Sequence, residues 1–376
     1  MGLVTIKTPP IGLYIHVPFC IKLCPYCAFY KMPMDRDTAH TFVASIQQEM
    51  AQYSHKYGRL PVDTVFFGGG TPNVLPTAQI HLIMDALHRY FLIDNAAEIT
   101  MEMNPGVHTK AKLRALKQHG INRVSIGVQS FHQRVLDDYG RNHRVSDTHR
   151  FITDVVDVGF TNVSCDILFG HPRHTLNDAK SSLQTLTEYP FKHVALYGLT
   201  IEKGTPFHRQ NMIINNDQQA DEYQMIQAQL ATQGFKQYEV SNFSMPGFQS
   251  RHNIKYWEFQ PTIGLGAGAH SYFMGHRYAN RPDIHHYRDT EDQWWPKTHQ
   301  NHVDWDEFMA VRLRYTAPIL FDQLQQRFPK KNISLLKNAL QPMNHHGLIT
   351  LTDHGFNVAQ RGLALVDEIV CHLQQP

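Results

Sequence analysis

The chain has 376 residues, 42% of them hydrophobic and 18% charged. That is enough for one large domain with a small companion, and too apolar for a disordered tail. Lys and Arg number 35 against 33 Asp and Glu, a net charge of +2. This balance gives no electrostatic case for nucleic acid or a membrane surface, and at most peripheral membrane contact is expected. No window reaches the roughly 18 apolar residues of a membrane span. Residues 1–19 lack the basic start and long apolar run of a signal peptide, and Ile6 stands where myristoylation after Met1-Gly2 needs Ser or Thr. A reducing cytoplasm is therefore expected. There, three of five cysteines crowded into eight residues point to metal rather than disulfides.

Six short runs rich in Val, Ile and Phe read in chain order as strands buried on both faces: 13–17, 62–67, 98–102, 123–128, 163–169 and 194–199. Helical periodicity recurs between and beyond them, at 38–53, 77–89, 109–119, 146–158, 176–188 and 217–232. Such alternation argues for an α/β fold with a parallel sheet and right-handed crossovers. The expected form is a partial (β/α) barrel over residues 1–240, with a flat doubly wound sheet as the alternative. Residues 235–240 could add a strand, and 241–302, rich in Gly, His, Tyr and Asn, read as an irregular connector. Helices follow at 305–315, 321–328 and 333–345, then a hairpin from 348–352 and 356–359 around Asp353-His354-Gly355, then a helix at 362–374. This predicts a small, mainly helical, winged-helix-like C-terminal domain over 303–376, a shape that does not by itself imply DNA binding.

Cys20, Cys24 and Cys27 make a CxxxCxxC spacing. Three thiolates on one loop can hold three irons of a cubane cluster and leave the fourth open to the amino and carboxylate groups of a ligand. A structural zinc site would want a fourth Cys or His. His16 is near but sits inside a strand, and Cys165 and Cys371 read as inert apolar residues. Further candidates stand at the ends of successive strands, where barrels build their sites. Gly68-Gly69-Gly70-Thr71-Pro72 either makes a tight turn or lets backbone approach a ligand. Glu102 could accept hydrogen bonds from a ligand's hydroxyls or serve a helix cap. Gln129 is polar at the next strand end, and Arg141 suits a carboxylate. Asp166, inside an apolar strand, needs either a structural network or a ligand.

This ordered set resembles the radical-SAM superfamily. The resemblance implies a [4Fe–4S] cluster on Cys20, Cys24 and Cys27, whose open iron chelates S-adenosylmethionine (SAM) and whose electron cleaves it to a 5′-deoxyadenosyl radical. Residues 14–20 (YIHVPFC), GGGTP, residues 122–131, the strand bearing Asp166 and GLGAGAHS at 264–271 resemble, more narrowly, the group built around oxygen-independent coproporphyrinogen III oxidase. Within that group, Phe29 in place of the oxidase's extra cysteine, only 19 residues before Cys20, and HNxxYW at 252–257 resemble the HemW haem-chaperone branch. Ala28 and His171 depart from the residues usual there, a frequent Asp and an aliphatic residue. The resemblance implies SAM contacts for Tyr14, Tyr26, Gly69, Gly70, Thr71, Glu102, Gln129, Arg141, Asp166, Gly198 and His270. It implies haem as cargo, passed to haem-accepting proteins, and an electron donor for the cluster. His252, amid aromatic residues, is the first candidate for haem's axial ligand; HNxxYW is otherwise a packing motif. Two enzymes are the alternatives: the oxidase, which decarboxylates the propionates of coproporphyrinogen III and against which Phe29 argues, and a haem ring-opening methyltransferase.

Overall fold

The computed structural model describes residues 9–289 and 301–374; Met1, Gly2 and Ile6 lie outside them. Strands form at all six expected places: β1 (Ile11–Val17), β2 (Pro61–Gly69), β3 (Leu92–Met103), β4 (Arg123–Gln129), β5 (Asn162–Phe169) and β6 (His193–Gly198). They lie side by side in that order, every neighbouring pair parallel. Six of the seven β1 residues are buried, as a strand covered on both faces requires. Three of the crossover helices, Arg36–Tyr57, Lys110–Gln118 and Leu176–Leu186, begin at side-chain caps. Asp35 accepts from the Thr38 N–H at 2.8 Å, opening Arg36–Tyr57. Thr175 and Asp178 form a reciprocal capping box at the start of Leu176–Leu186. Gly58, at φ 73°, ends the first of these helices. Phe42, Ile46 and Met50 of that helix are fully buried in one core with Leu13, Ile15 and Phe67.

Where an irregular connector was expected, the described residues of 241–289 and 301–302, with part of the 235–240 run, extend the sheet at both edges. The added strands are β7 (Lys236–Gln237), β8 (Asn242–Ser244), β9 (Thr262–Leu265), β10 (His270–Phe273), β11 (His276–Ala279) and β12 (Asn301–His302). β9 runs parallel to β1, with Leu13 opposite Ile263 and Ile15 opposite Leu265. Among the described residues the sheet has twelve strands in the order β12-β11-β10-β9-β1-β2-β3-β4-β5-β6-β8-β7. Seven adjacent parallel strands, β9 through β6, thus make the partial barrel. The polar turns around β9 are affordable because a buried carboxylate satisfies them. Glu49 accepts from the Gly266 N–H (2.9 Å), Asn280 Nδ2 (2.8 Å) and Tyr287 Oη (2.6 Å), which offsets part of the burial that raises its carboxyl to about 7.

The C-terminal part has its own core around Met309, Leu313, Leu340 and Phe356. Helices Trp305–Arg312, Phe321–Arg327 and Ile333–His345 precede an antiparallel hairpin, Ile349–Leu351 with Gly355–Val358. Ile319–Leu320 pairs on the hairpin's other side, and helix Val366–Gln374 closes the winged-helix-like unit. Val240 and Phe259 of the barrel domain pack against this second core. No helix among the described residues is long and apolar enough to cross a membrane.

Candidate functional site

The cysteine loop is folded back by a two-residue parallel ladder, Phe19–Cys20 with Met32–Pro33. GGGTP, at the end of β2, is tied to its base: the Gly70 N–H reaches Val17 O and the Thr71 N–H reaches Phe19 O, each at 2.8 Å. This closeness demands glycine. A Cβ on Gly69, whose φ is 103°, would lie 2.6 Å from the His16 ring, and one on Gly70 would lie 2.7 Å from Phe19 O. The approach sets Thr71 Oγ1 as donor to Cys20 Sγ at 3.5 Å. From the other side, Arg141 Nη1 donates to Cys24 Sγ at 3.6 Å and to Tyr26 Oη at 3.4 Å. Arg141 Nη2 donates to Asn104 Oδ1 at 2.6 Å, and Asn104 Nδ2 donates to Thr71 Oγ1 at 2.9 Å. An unbroken polar chain therefore runs from one cysteine sulfur to another, with donors at both ends. Burial pushes the Cys20 thiol up, and the Thr71 hydrogen bond opposes that. All three loop cysteines are free; Cys165 is buried in β5 and Cys371 lies in the last helix. Three free cysteines on one loop, with donors already aimed at two of their sulfurs, suit a three-thiolate cluster site.

Beside the loop the barrel is hollow. Tyr197 and Tyr256 keep 45% and 38% of their surface, although Glu102, and for Tyr197 also Asp166, act on their hydroxyls electrostatically. Glu102 Oε2 accepts the Gly69 N–H at 3.2 Å. Desolvation, then the nearby Asp166, pushes its carboxyl up to about 8. Asp166 is raised to about 6 by desolvation, against a 2.8 Å hydrogen bond from Ser125 Oγ and a 3.4 Å one from Ser164 Oγ. A cavity of about 930 Å³ opens here, lined by Tyr14, His16, Cys24, Phe29, Arg209 and His270 among others.

The structure thus joins Cys20, Cys24, Tyr26, Thr71 and Arg141 in one hydrogen-bonded network, with Gly69 and Gly70 shaping it. Glu102 and Asp166 lie within electrostatic reach of each other, and Tyr14 and His270 share the cavity with Cys24. Gln129 holds φ at 65°, a left-handed conformation for a non-glycine residue at a strand end, and borders a separate cleft with His174 and Asp178. Gly198 ends β6 against the Gln219 amide, which would lie 3.2 Å from a Cβ there.

His252 does not fit the expectation of an imidazole open to haem iron. It is fully buried, with Nδ1 2.9 Å from Thr64 Oγ1 and Nε2 2.8 Å from Tyr256 Oη, and its ring stacks on Phe66. Burial pulls its pKa down to about 3. HNxxYW thus packs helix Arg251–Trp257 against β2, and Lys255 completes the contact with a 2.9 Å ion pair to Asp63. Two further residues, Asn104 and Tyr197, carry no motif in the sequence, and His16, weighed there only as a fourth metal ligand, takes a positioning role. Asn104 bridges Thr71 and Arg141. His16 bonds Tyr14 Oη at 3.0 Å and Tyr30 O at 2.9 Å. Tyr197, on β6, lies within electrostatic reach of Asp166 and Glu102. Asn104 and His16 each stand two residues from a recognised strand residue, Glu102 and Tyr14, and that period was the available signal.

A family model described as the radical SAM superfamily matches residues 14–186, and one described as the HemN C-terminal domain matches residues 300–365. The solved Escherichia coli coproporphyrinogen III oxidase HemN, itself a radical SAM enzyme, is similar in fold, with a TM-score of 0.83 over 99% of this chain and 92% of that one at 20% identity. Fold and site together define a radical SAM protein. Heme chaperone HemW of Bacillus subtilis (strain 168) is 31% identical over 95% of this chain and 97% of its own length. Heme chaperone HemW of Lactococcus lactis subsp. lactis (strain IL1403) is 32% identical over 93% and 95%. The chain belongs to the HemW family, and its superfamily implies a [4Fe–4S] cluster and SAM.

Proposed function

We propose that the chain is a haem chaperone, binding haem at the barrel mouth and passing it unchanged to haem-accepting proteins. Cys20, Cys24 and Cys27 hold the cluster, and SAM lies in the hollow beside them. When bound, the cluster supplies a single electron at the SAM sulfonium, drawn from a separate donor. The chain's own residues position that chemistry. Arg141 and Thr71 steady the thiolates, Glu102 accepts from the ribose, and Gly69 and Gly70 admit the methionine end. Tyr14, Tyr26, Gln129, Asp166 and Gly198 complete the SAM contacts. Free thiols on the cysteine loop suit a reducing cytoplasm.

One observation carries the haem assignment. Phe29, 70% exposed, stands at the rim of the cavity that contains Cys24, with Ile21 and Leu23 also exposed on the same loop. An apolar patch of this kind marks a binding surface. A flat macrocycle would cover it, with Lys31 and Arg209 of the same cavity within reach of its carboxylates. The axial ligand we assign is His270 rather than His252, so haem takes over the SAM role expected of that residue. His270 is exposed on this rim, and its ring meets no hydrogen-bond partner among the described residues, whereas both nitrogens of His16 are taken. Partial desolvation of the ring, then the nearby Arg277 cation, lowers the His270 pKa, which favours the neutral, ligating imidazole. His270→Ala should shift the Soret band and weaken haem retention while His252→Phe leaves the band in place. The reverse pattern in haem titrations would return the ligand to HNxxYW.

A further inference from the structure

His171 stands where the resembling group usually carries an aliphatic residue, and neither the cluster nor the SAM site uses it. It lies in the loop after β5, one turn before His174, whose N–H bonds His171 O at 2.9 Å. The two imidazoles stack with centroids 4.3 Å apart and planes 25° apart. Asp138, the last residue of helix Gln133–Asp138, faces them: its Oδ2 is 3.3 Å from His174 Nε2. One donor atom from each of the three lies within 4.8 Å of the others.

We propose that Asp138, His171 and His174 bind one divalent transition-metal ion of the zinc class, at a site separate from the cysteine loop.

Three observations carry this. The donor set, two imidazoles and one carboxylate, is a standard three-residue complement for zinc, and tetrahedral ligands near 2.1 Å stand about 3.4 Å apart. His174 Nε2 and Asp138 Oδ2 already have that spacing. Second, His171 is fully buried and its Nε2 has no hydrogen-bond partner. Leaving such an atom without a partner costs about 1–3 kcal/mol, and a metal ion would recover it. Third, the rings are clamped for ligation. The Tyr139 ring meets both edge-on at 5.3 and 5.2 Å, and Phe207 packs on His171 at 5.8 Å. Binding through Nε2 moves each ring proton to Nδ1. At His171 this gives up only a 3.2 Å contact from the Arg173 N–H. Asp138 Oδ1 keeps its 3.1 Å ion pair to Arg173, and Arg134 stands 3.9 Å from Oδ2. Both guanidiniums are mostly exposed, so water screens their repulsion of a cation. The ion would fasten the loop after β5 to the segment leading into Arg141.

The test uses the full chain with its cluster reconstituted anaerobically, and zinc as the probe in a metal-buffered solution. The unaltered chain should retain one zinc beyond its cluster iron, and zinc should raise its Tm. His171→Leu, His174→Gln and Asp138→Asn should each weaken zinc binding by at least about 10–100-fold, with iron and sulfide content unchanged. Asp138→Asn keeps the size of the side chain, so it decides the matter should the histidine variants lose cooperative melting. An unaltered chain that retains no zinc would overturn the proposal. So would zinc that survives all three substitutions, as zinc on the cysteine loop would.

Discussion

Glu102 and Asp166 are two neighbouring carboxyls, each raised above its ordinary range chiefly by desolvation. Between the usual 4.5 and about 8, the folded chain holds a Glu102 proton that the unfolded chain has lost. Its contribution to stability is thus full below pH 4.5 and is lost as pH rises through about 8. Ribose hydroxyls donate best to the ionised form, so SAM affinity should rise over the upper part of that range. Glu102→Gln should flatten the pH dependence of the melting temperature and weaken SAM binding roughly tenfold to a hundredfold, leaving cluster absorbance intact. A variant with the parent's SAM affinity at every pH would leave Glu102 only its bond to the Gly69 N–H. The sulfurs make a second prediction. Cys20→Ala, Cys24→Ala or Cys27→Ala should each lose most of the bound iron, because Cys165 and Cys371 lie on other elements. Equal loss on replacing Cys165 or Cys371, measured as iron and sulfide per chain, would break the ligand assignment. Cysteines at CxxxCxxC were legible because spacing alone brings them together. Asn104, His16 and the burial of His252 were not, since each depends on what another strand or helix presents to it. His252 and Tyr256 do share a helix face, as four-residue spacing implies, but no local pattern tells whether that face meets solvent or β2.

Among the elements, the turn after β2 does the most positioning. Its hydrogen bonds to Val17 and Phe19 hold Thr71 against Cys20, so the glycines are constrained by the cysteine loop as much as by any ligand. Gly69→Ala would bring a Cβ to 2.6 Å from His16 at a φ of 103°. It should cost about 1–3 kcal/mol in denaturant unfolding and lower the iron content by displacing Thr71; parent-like stability and iron would contradict this account of the turn. Six of the seven barrel strands and their crossover helices were readable, because each strand is an apolar run bounded by turn signals and each helix a periodic one. β9 was not. Thr262-Ile263-Gly264-Leu265 is short, carries a glycine, and pairs with a strand about 250 residues earlier in sequence. Gly264 is required by close approach: a Cβ there would lie 2.3 Å from His270 O. The buried Glu49 that makes this corner possible stands 217 residues before Gly266, so no local pattern announces the contact.

For the whole molecule, the fold is that of a porphyrinogen oxidase, and fold alone does not choose between converting a tetrapyrrole and carrying one. The difference lies at the rim. Phe29 presents an exposed apolar face where the oxidase, by resemblance, has a further cysteine, and the account therefore requires haem to bind and leave unaltered. The direct measurement is anaerobic incubation of the cluster-loaded chain with SAM and a reductant. Haem is supplied in one vessel and coproporphyrinogen III in the other, and every tetrapyrrole is read by mass. The predicted result is stoichiometric haem binding, haem recovered at its original mass on an apo-acceptor protein, and no change in the coproporphyrinogen. Protoporphyrinogen IX in the second vessel, or a methylated and opened ring in the first, would contradict it.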